Sequence, residues 1–161
     1  MRKRYFSVYL IPILLLFCFV PLSLQAEETS VLSRGQTIYV PAYSHIYSGN
    51  RERPFFLTVT LSIRNIDQNH PIEIGLVDYY ETQGKLLKKH IAQPVWLNPY
   101  GSIRYVIPEK DKSGGSGANF IVEWKSETPV NPPIIESIMI GTQSQQGISF
   151  TSRGRAIARS K

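Results

Sequence analysis

The chain has 161 residues, of which 18 are Lys or Arg and 12 are Asp or Glu, and Cys18 is its single cysteine. This length corresponds to one domain, which is long enough to bury a hydrophobic core without disulfides. Because Cys18 lies in an amino-terminal segment that we expect to be removed, the composition excludes thiol catalysis, disulfide exchange and cysteine metal sites in the mature protein.

The amino-terminal segment has the layout of a secretory signal peptide. Three basic residues at positions 2–4 precede an apolar run over 8–20, and Ala26 offers a cleavage site before two glutamates. We therefore predict that residues 1–26 are a signal peptide and that the protein is extracytoplasmic, either periplasmic or secreted. Leu24 is larger than the residue preferred three places before the cut, so the alternative is an uncleaved inner-membrane anchor.

Cleavage changes the charge as well as the length. Removing 26 residues from 161 leaves 135, and removing three of the 18 basic residues leaves 15 against 12 acids, a net charge of +3. An exported chain with so little excess charge is not expected to bind nucleic acid. We expect a flexible amino terminus over 27–34, one domain over 35–157 and a basic tail over 158–161.

Strand-like runs separated by turn signals fill the rest of the chain. The clearest is FFLTVTLSIRN (55–65), in which apolar and polar residues alternate as in a strand with one buried face. Residues 72–91 are predicted to form a hairpin around TQGK, with a bulge at Gly75. The remaining runs are TIYVPAYSHIY, SIRYVIP, NFIVEWK, IIESIMIGT and GISFTS.

These runs predict an all-β fold. They amount to seven to eight strands, and no segment sustains a helical period, although GKLLKKHIA is also compatible with a short helix. Regularly spaced strands with turn signals indicate an antiparallel sandwich or barrel, and we predict a single immunoglobulin-like β-sandwich rather than a closed barrel.

The glycine-rich segment DKSGGSGANFIVEW (111–124) admits three interpretations. A phosphate-binding loop requires a lysine after its last glycine and a following helix, and both are missing. A nucleophile turn around Ser116 lacks its final glycine and is also followed by a strand. A corner between strands agrees best, and a contact surface that includes Ser116 and Asn119 is the alternative.

In the run YVPAYSHIY (39–47), every second residue, beginning with Tyr39, is mostly aromatic. The candidate binding residues among these are Tyr43, His45 and Tyr47. If the small, mostly apolar residues between them face the core, the aromatic side chains lie on the exterior, where such rings commonly contact ligands. The other interpretation is structural, because aromatic residues also pair with neighbouring strands or form a buried face.

The carboxyl-terminal region supplies the remaining candidates. Arg153 and Arg155 lie in a basic stretch suited to phosphate-bearing envelope polymers, although such a stretch is also typical of a solvated tail. Gln143 and Gln146 flank an amide-rich loop that is either a plain hairpin or a hydrogen-bonding contact. The three scattered histidines predict no metal site, and no motif predicts a cofactor or a catalytic centre.

Several long blocks resemble a known family. GQTIYVPAYSHIYSG, RPFFLTVTLSIRN, VDYYETQGKLLKK, SGGSGANFIVEW and NPPIIESIMIGTQSQQGISFTSRG are similar to a bacterial family of exported proteins known as domain of unknown function thirty-one twenty-four. The likeness extends over about 35–157. It implies a single exported domain and favours a role for the glycine-rich and glutamine-rich loops, but it implies no activity, ligand or catalytic residue.

Together these observations predict a non-catalytic binding or interaction module of the cell envelope whose partner is an envelope polymer or a protein. We expect it to meet the membrane only through the signal segment, if that segment is uncleaved. Two alternatives remain: a small extracytoplasmic hydrolase, whose Ser116 would meet a histidine only in the fold, and an accessory subunit that pairs through a sheet edge.

Overall fold

A computed structural model describes residues 31–48, 52–143 and 145–159. The predicted signal peptide lies outside these residues. The strands are, in chain order, β1 (Ser33–Pro41), β2 (His45–Ser48), β3 (Arg53–Phe56), β4 (Thr58–Arg64), β5 (Ile72–Tyr80), β6 (Leu86–Lys89), β7 (Val95–Leu97), β8 (Ser102–Ile107), β9 (Asn119–Val130), β10 (Ile134–Gln143), β11 (Gln146–Arg153) and β12 (Arg155–Arg159).

The strands form two main sheets and one small hairpin. Sheet A has the order β12-β1-β9-β5-β6, and β7 also pairs with β5; sheet B has the order β11-β10-β4-β8; β2 pairs with β3. Every pair is antiparallel. The predicted antiparallel β-sandwich is therefore confirmed.

The described residues contain twelve strands rather than the seven or eight predicted. The difference comes from β2, β3, β7 and β12, which have three to five residues each, whereas β6 is the second strand of the predicted hairpin. Such short strands are formed by pairing with longer neighbours, and they are too brief to show an alternating pattern in the sequence. No helix long and apolar enough to cross a membrane occurs among these residues.

The core lies between sheets A and B and follows the alternation in the sequence. In β4 the apolar parity is fully buried, and the same holds for the inward residues of β5 and β9. Side chains with no exposed surface are Leu57, Val59, Leu61, Ile63, Ile72, Ile74, Val77, Phe120 and Val122. Burying each side chain of this size contributes about 1.5–3 kcal/mol, so these residues are a main source of the stability of the two-layer fold.

The predicted hairpin over 72–91 is confirmed by the pairing of β5 with β6. The predicted bulge is also present, because the register between β5 and β9 shifts between Ile74 and Leu76, on either side of Gly75. Nothing lies within 4 Å of the position that a Cβ at Gly75 would occupy. The bulge therefore leaves open space on the outer face of sheet A.

The chain passes from sheet B to sheet A at Gly154, between β11 and β12. A Cβ there would lie 2.9 Å from the Ile135 carbonyl oxygen and 2.5 Å from Ile38 Cγ2. Only glycine allows so close an approach to the core. Strand β12 continues to Arg159, across the predicted boundary between domain and tail at residue 157.

Candidate functional site

The outer face of sheet A carries a groove. A cavity of about 360 Å³ lies over Gly75 and is bordered by Glu73 and Lys125. These two residues also line a second cavity of about 300 Å³, which continues past Trp96. A third cavity of about 130 Å³ shares Trp96 with the second and ends at His70. Because neighbouring cavities share lining residues, they adjoin one another along the sheet, and we call the three together the Trp96 groove.

The groove follows directly from the strand register. Trp96 on β7 and Lys125 on β9 both lie directly opposite Glu73 on β5. Residues opposite each other in antiparallel strands project their side chains to the same face, so the three form a row across the sheet. Beside this row, Gly75 contributes no side chain, and the resulting depression is the deepest part of the groove.

An ion pair lies at the centre of the row. Lys125 Nζ is 3.1 Å from Glu73 Oε1, and the Glu73 side chain is 11% exposed whereas that of Lys125 is 65% exposed. The carboxylate is thus held in place with its charge balanced, and the ammonium group remains open to solvent. The Glu73 carboxylate can accept hydrogen bonds from a ligand hydroxyl or amide, and the Lys125 ammonium group can donate them.

Trp96 provides an apolar wall. Its exposure is 53%, whereas Trp124, the only other tryptophan of the chain, is 3% exposed and belongs to the core. An exposed indole stacks favourably on flat apolar surfaces such as the C–H face of a sugar ring. A large aromatic surface beside fixed polar groups is typical of sites that bind extended polar ligands.

A network of turn hydrogen bonds fixes the His70 end of the groove. The Asn65 amide donates to the carbonyls of His70, Leu97 and Asn98, which ties the loop before β5 to the loop after β7. Asp67 lies inside this network. Its carboxylate accepts hydrogen bonds from the backbone N–H groups of Asn69, Asn131 and His70, and these lower its pKa from 3.8 to about 2 despite the opposing effect of burial.

The glycine-rich loop is a structural corner. Gly114 is buried against the Ser44 and Tyr79 side chains, whose hydroxyl oxygens are 3.0 Å apart and hydrogen-bonded. Thr82, in the turn between β5 and β6, donates through Oγ1 to the Gly114 carbonyl and accepts from the Gly117 N–H, both at 3.0 Å. The loop thus joins that turn to the segment after β1.

The candidate residues of this loop lie outside the groove. Ser116 is half-buried, and among the described residues it has no hydrogen bond to a histidine. Asn119 is the first residue of β9, where it lies opposite Pro41 and Tyr80. Neither residue lines the Trp96 groove, and their roles in binding stay predictions.

In the run 39–47, alternate side chains lie on two different faces, one buried and one more exposed. Val40, Ala42 and Ser44 are fully buried, whereas Tyr47 is 55% exposed. The other residues of its parity are less open, because they pack on neighbours: Tyr43 contacts Phe150, and His45 contacts Tyr47 and Phe56. His45 Nε2 and the Tyr47 hydroxyl are 3.2 Å apart, so these two rings support each other.

The remaining candidates are spread over the molecule. Arg153 ends β11 of sheet B and Arg155 begins β12 of sheet A, with Gly154 between them, and their role in binding stays a prediction. Gln143 and Gln146 pair with each other at the end of the β10–β11 hairpin. No group of three or more His, Cys, Asp or Glu residues that could hold a metal ion occurs within the described ranges.

Sequence reasoning missed the Trp96 groove. PVWL is too short to be recognised as a strand, and the outward-facing residues of β5 match no binding or catalytic motif. A usable signal was present, since Glu73 interrupts an apolar run two residues before Gly75. A charged residue between two apolar ones marks the outward-facing side of the strand, where the side chains of a surface site lie.

The fold and the groove define an antiparallel β-sandwich protein with a polar, aromatic-walled channel on one sheet. The chain belongs to the family described as "Protein of unknown function (DUF3124)", which matches residues 35–157 and confirms the resemblance noted in the sequence. No curated protein matches the chain. The crystal structure of Thermotoga maritima 1070 matches with 16% identity and a TM-score of 0.45, covering 80% of this chain and 97% of that one.

Proposed function

We propose that the protein is a non-catalytic binding module of the cell envelope and that the Trp96 groove is its ligand site. The observation that carries the proposal is the row in which a half-exposed indole lies beside a buried, charge-balanced carboxylate. The ligand is a glycan chain, because a sugar ring combines an apolar face for Trp96 with hydroxyl groups for Glu73 and Lys125.

The shape of the groove supports an extended ligand. Its cavities of about 360, 300 and 130 Å³ adjoin one another along the sheet through shared lining residues. Pockets of about 300–1,000 Å³ accommodate small molecules, and a channel of several such compartments suits successive units of a chain. The further polar groups along it, Thr37, Ser126 and Glu127, are suited to hydroxyl-rich units.

The proposal is tested by titrating the full-length protein with chitotetraose, a soluble tetramer of the β-linked amino sugar found in envelope glycans. The chain has two tryptophans, of which only Trp96 is exposed, so binding should shift the emission of Trp96 to shorter wavelength. Calorimetry gives the affinity. Trp96→Ala should weaken binding about tenfold or more, equivalent to about 1.4 kcal/mol.

Two further variants locate the site. Gly75→Val should fill the deepest cavity without strain, because no atom lies within 4 Å of its Cβ and β-branched residues suit strands. It should therefore abolish binding while leaving the melting temperature unchanged or raised. Tyr47→Ala, at an equally exposed aromatic residue outside the groove, is the matched control. Equal losses in Tyr47→Ala and Trp96→Ala, or binding that survives Gly75→Val, would contradict the assignment.

A further inference from the structure

The outer face of sheet B presents a different chemistry from the Trp96 groove. Arg64 and Ser62 on β4 lie directly opposite Ser102 and Arg104 on β8, so two arginines and two serines alternate on one face. Thr60 adds a third hydroxyl to the same cavity, which has a volume of about 220 Å³. This cavity therefore combines two cationic groups with three hydroxyl groups.

The two arginines are available to a ligand. Arg64 Nε donates to Ser62 Oγ at 3.0 Å, which directs the guanidinium along the face. In the part of the chain that the structure describes, neither Arg64 nor Arg104 has a carboxylate within salt-bridge distance. Two uncompensated guanidinium groups with nearby hydroxyl donors match the several oxygen atoms of a tetrahedral oxyanion.

The basic row continues across the sheet. Ser62 lies opposite Glu136 on β10, which lies opposite Arg153 on β11. With strands about 4.8 Å apart, three steps place Arg153 about 14 Å from Arg104. One acid among three arginines leaves this face with a net charge of +2, counted over Arg64, Arg104, Arg153 and Glu136.

We propose that the outer face of sheet B binds the phosphate groups of a linear anionic polymer. Arg64 and Arg104, with the hydroxyl groups of Ser62 and Ser102, hold one phosphate. Arg153 contacts a second phosphate farther along the polymer. Glu136, between the two positions, weakens binding by repelling the chain. This site is independent of the Trp96 groove, since the two lie on opposite outer faces of the sandwich.

The test uses the full-length protein with two probes, inorganic phosphate and a longer linear polyphosphate, titrated by calorimetry at constant ionic strength. Arg64→Gln and Arg104→Gln should each weaken binding of both probes about tenfold, because each removes charge-assisted hydrogen bonds. Arg53→Gln is the matched control, since it removes the same charge from the exposed end of the β2–β3 hairpin, outside the cavity of sheet B. It should change either affinity less than about twofold, because exposed charges farther away than about 10 Å are screened.

Two more variants distinguish a polymer from a single phosphate. Arg153→Gln should weaken binding of polyphosphate but leave that of inorganic phosphate unchanged, and Glu136→Gln should tighten binding of polyphosphate. If Arg153→Gln affects neither probe, the site takes a single phosphate and the polymer assignment is overturned. If phosphate does not bind, or if Arg53→Gln weakens binding as much as Arg104→Gln, the site itself is overturned. The melting temperature of every variant is the control for correct folding.

Discussion

Replacing Gly114 with alanine should destabilise the fold, because the glycine-rich loop is packed rather than open. The new Cβ would overlap the Tyr79 hydroxyl and would lie 2.8 Å from both Ser44 Oγ and Ala118 Cβ. To relieve these contacts, the hydrogen bond between Ser44 and Tyr79 must break. Both partners are buried, with at most 1% exposure, so neither hydroxyl gains water in exchange.

The size of the effect follows from two contributions. Inserting a methyl group into a closely packed site costs about 1–3 kcal/mol. Leaving buried hydroxyl groups without partners costs about 1–3 kcal/mol more. We therefore expect Gly114→Ala to lower the free energy of unfolding by about 2–6 kcal/mol, a large part of the 5–15 kcal/mol typical of a domain.

Equilibrium unfolding in urea measures this loss. With a slope of about 2 kcal/mol per molar urea, in the middle of the usual range, the midpoint should fall by about 1–3 M. Gly147→Ala is the matched control, because nothing lies within 4 Å of its Cβ, and it should stay within about 0.5 kcal/mol of the wild type. If Gly114→Ala also stays within that range, the loop is not a packed corner and the reasoning is refuted.

Three further substitutions test other parts of the structure. Thr82→Val should cost about 1–2 kcal/mol in urea unfolding, because its hydroxyl bonds both Gly114 and Gly117. Asp67 has a folded pKa of about 2, below its usual 3.8, so wild-type stability should fall as pH drops from about 4 to 2; Asp67→Asn should flatten that interval in pH-dependent melting curves. Burial, followed by the charge of Lys88, lowers the pKa of His90 from 6.5 to about 4. Stability should therefore also fall as the pH drops from 6.5 to about 4, because the unfolded chain takes up a proton on His90 that the folded chain does not. If stability depends on pH over this interval as steeply in His90→Gln as in the wild type, the assignment is contradicted.

The fold class was predictable because burial in a sandwich imposes a period of two on the sequence. The inward residues of β4 were predicted correctly from that alternation, whereas in the run 39–47 either face could have been the buried one, and the structure buries Val40 and Ala42. The bulge at Gly75 was also predictable, since it interrupts a regular strand pattern. The four short strands were not, because their formation depends on neighbours rather than on their own composition.

The candidate sites were harder to predict because they depend on register between distant strands. Trp96, Glu73 and Lys125 are separated by more than twenty residues in the chain, yet pairing places them in one row. Conversely, Arg153 and Arg155 are only two residues apart in sequence but belong to different sheets, because the chain changes layer at Gly154. Sequence proximity alone therefore does not determine which sheet each arginine joins.

By itself, the sequence determined the period-two alternation, the choice of core residues and the locations of the main turns, because these depend on local spacing and polarity. Tertiary structure alone decided which strands became neighbours and in what register. Those long-range pairings opened the cavity over Gly75, placed Trp96 beside the Glu73–Lys125 ion pair and aligned the arginines of sheet B. A surface site is a property of several strands at once, and no single segment carries it.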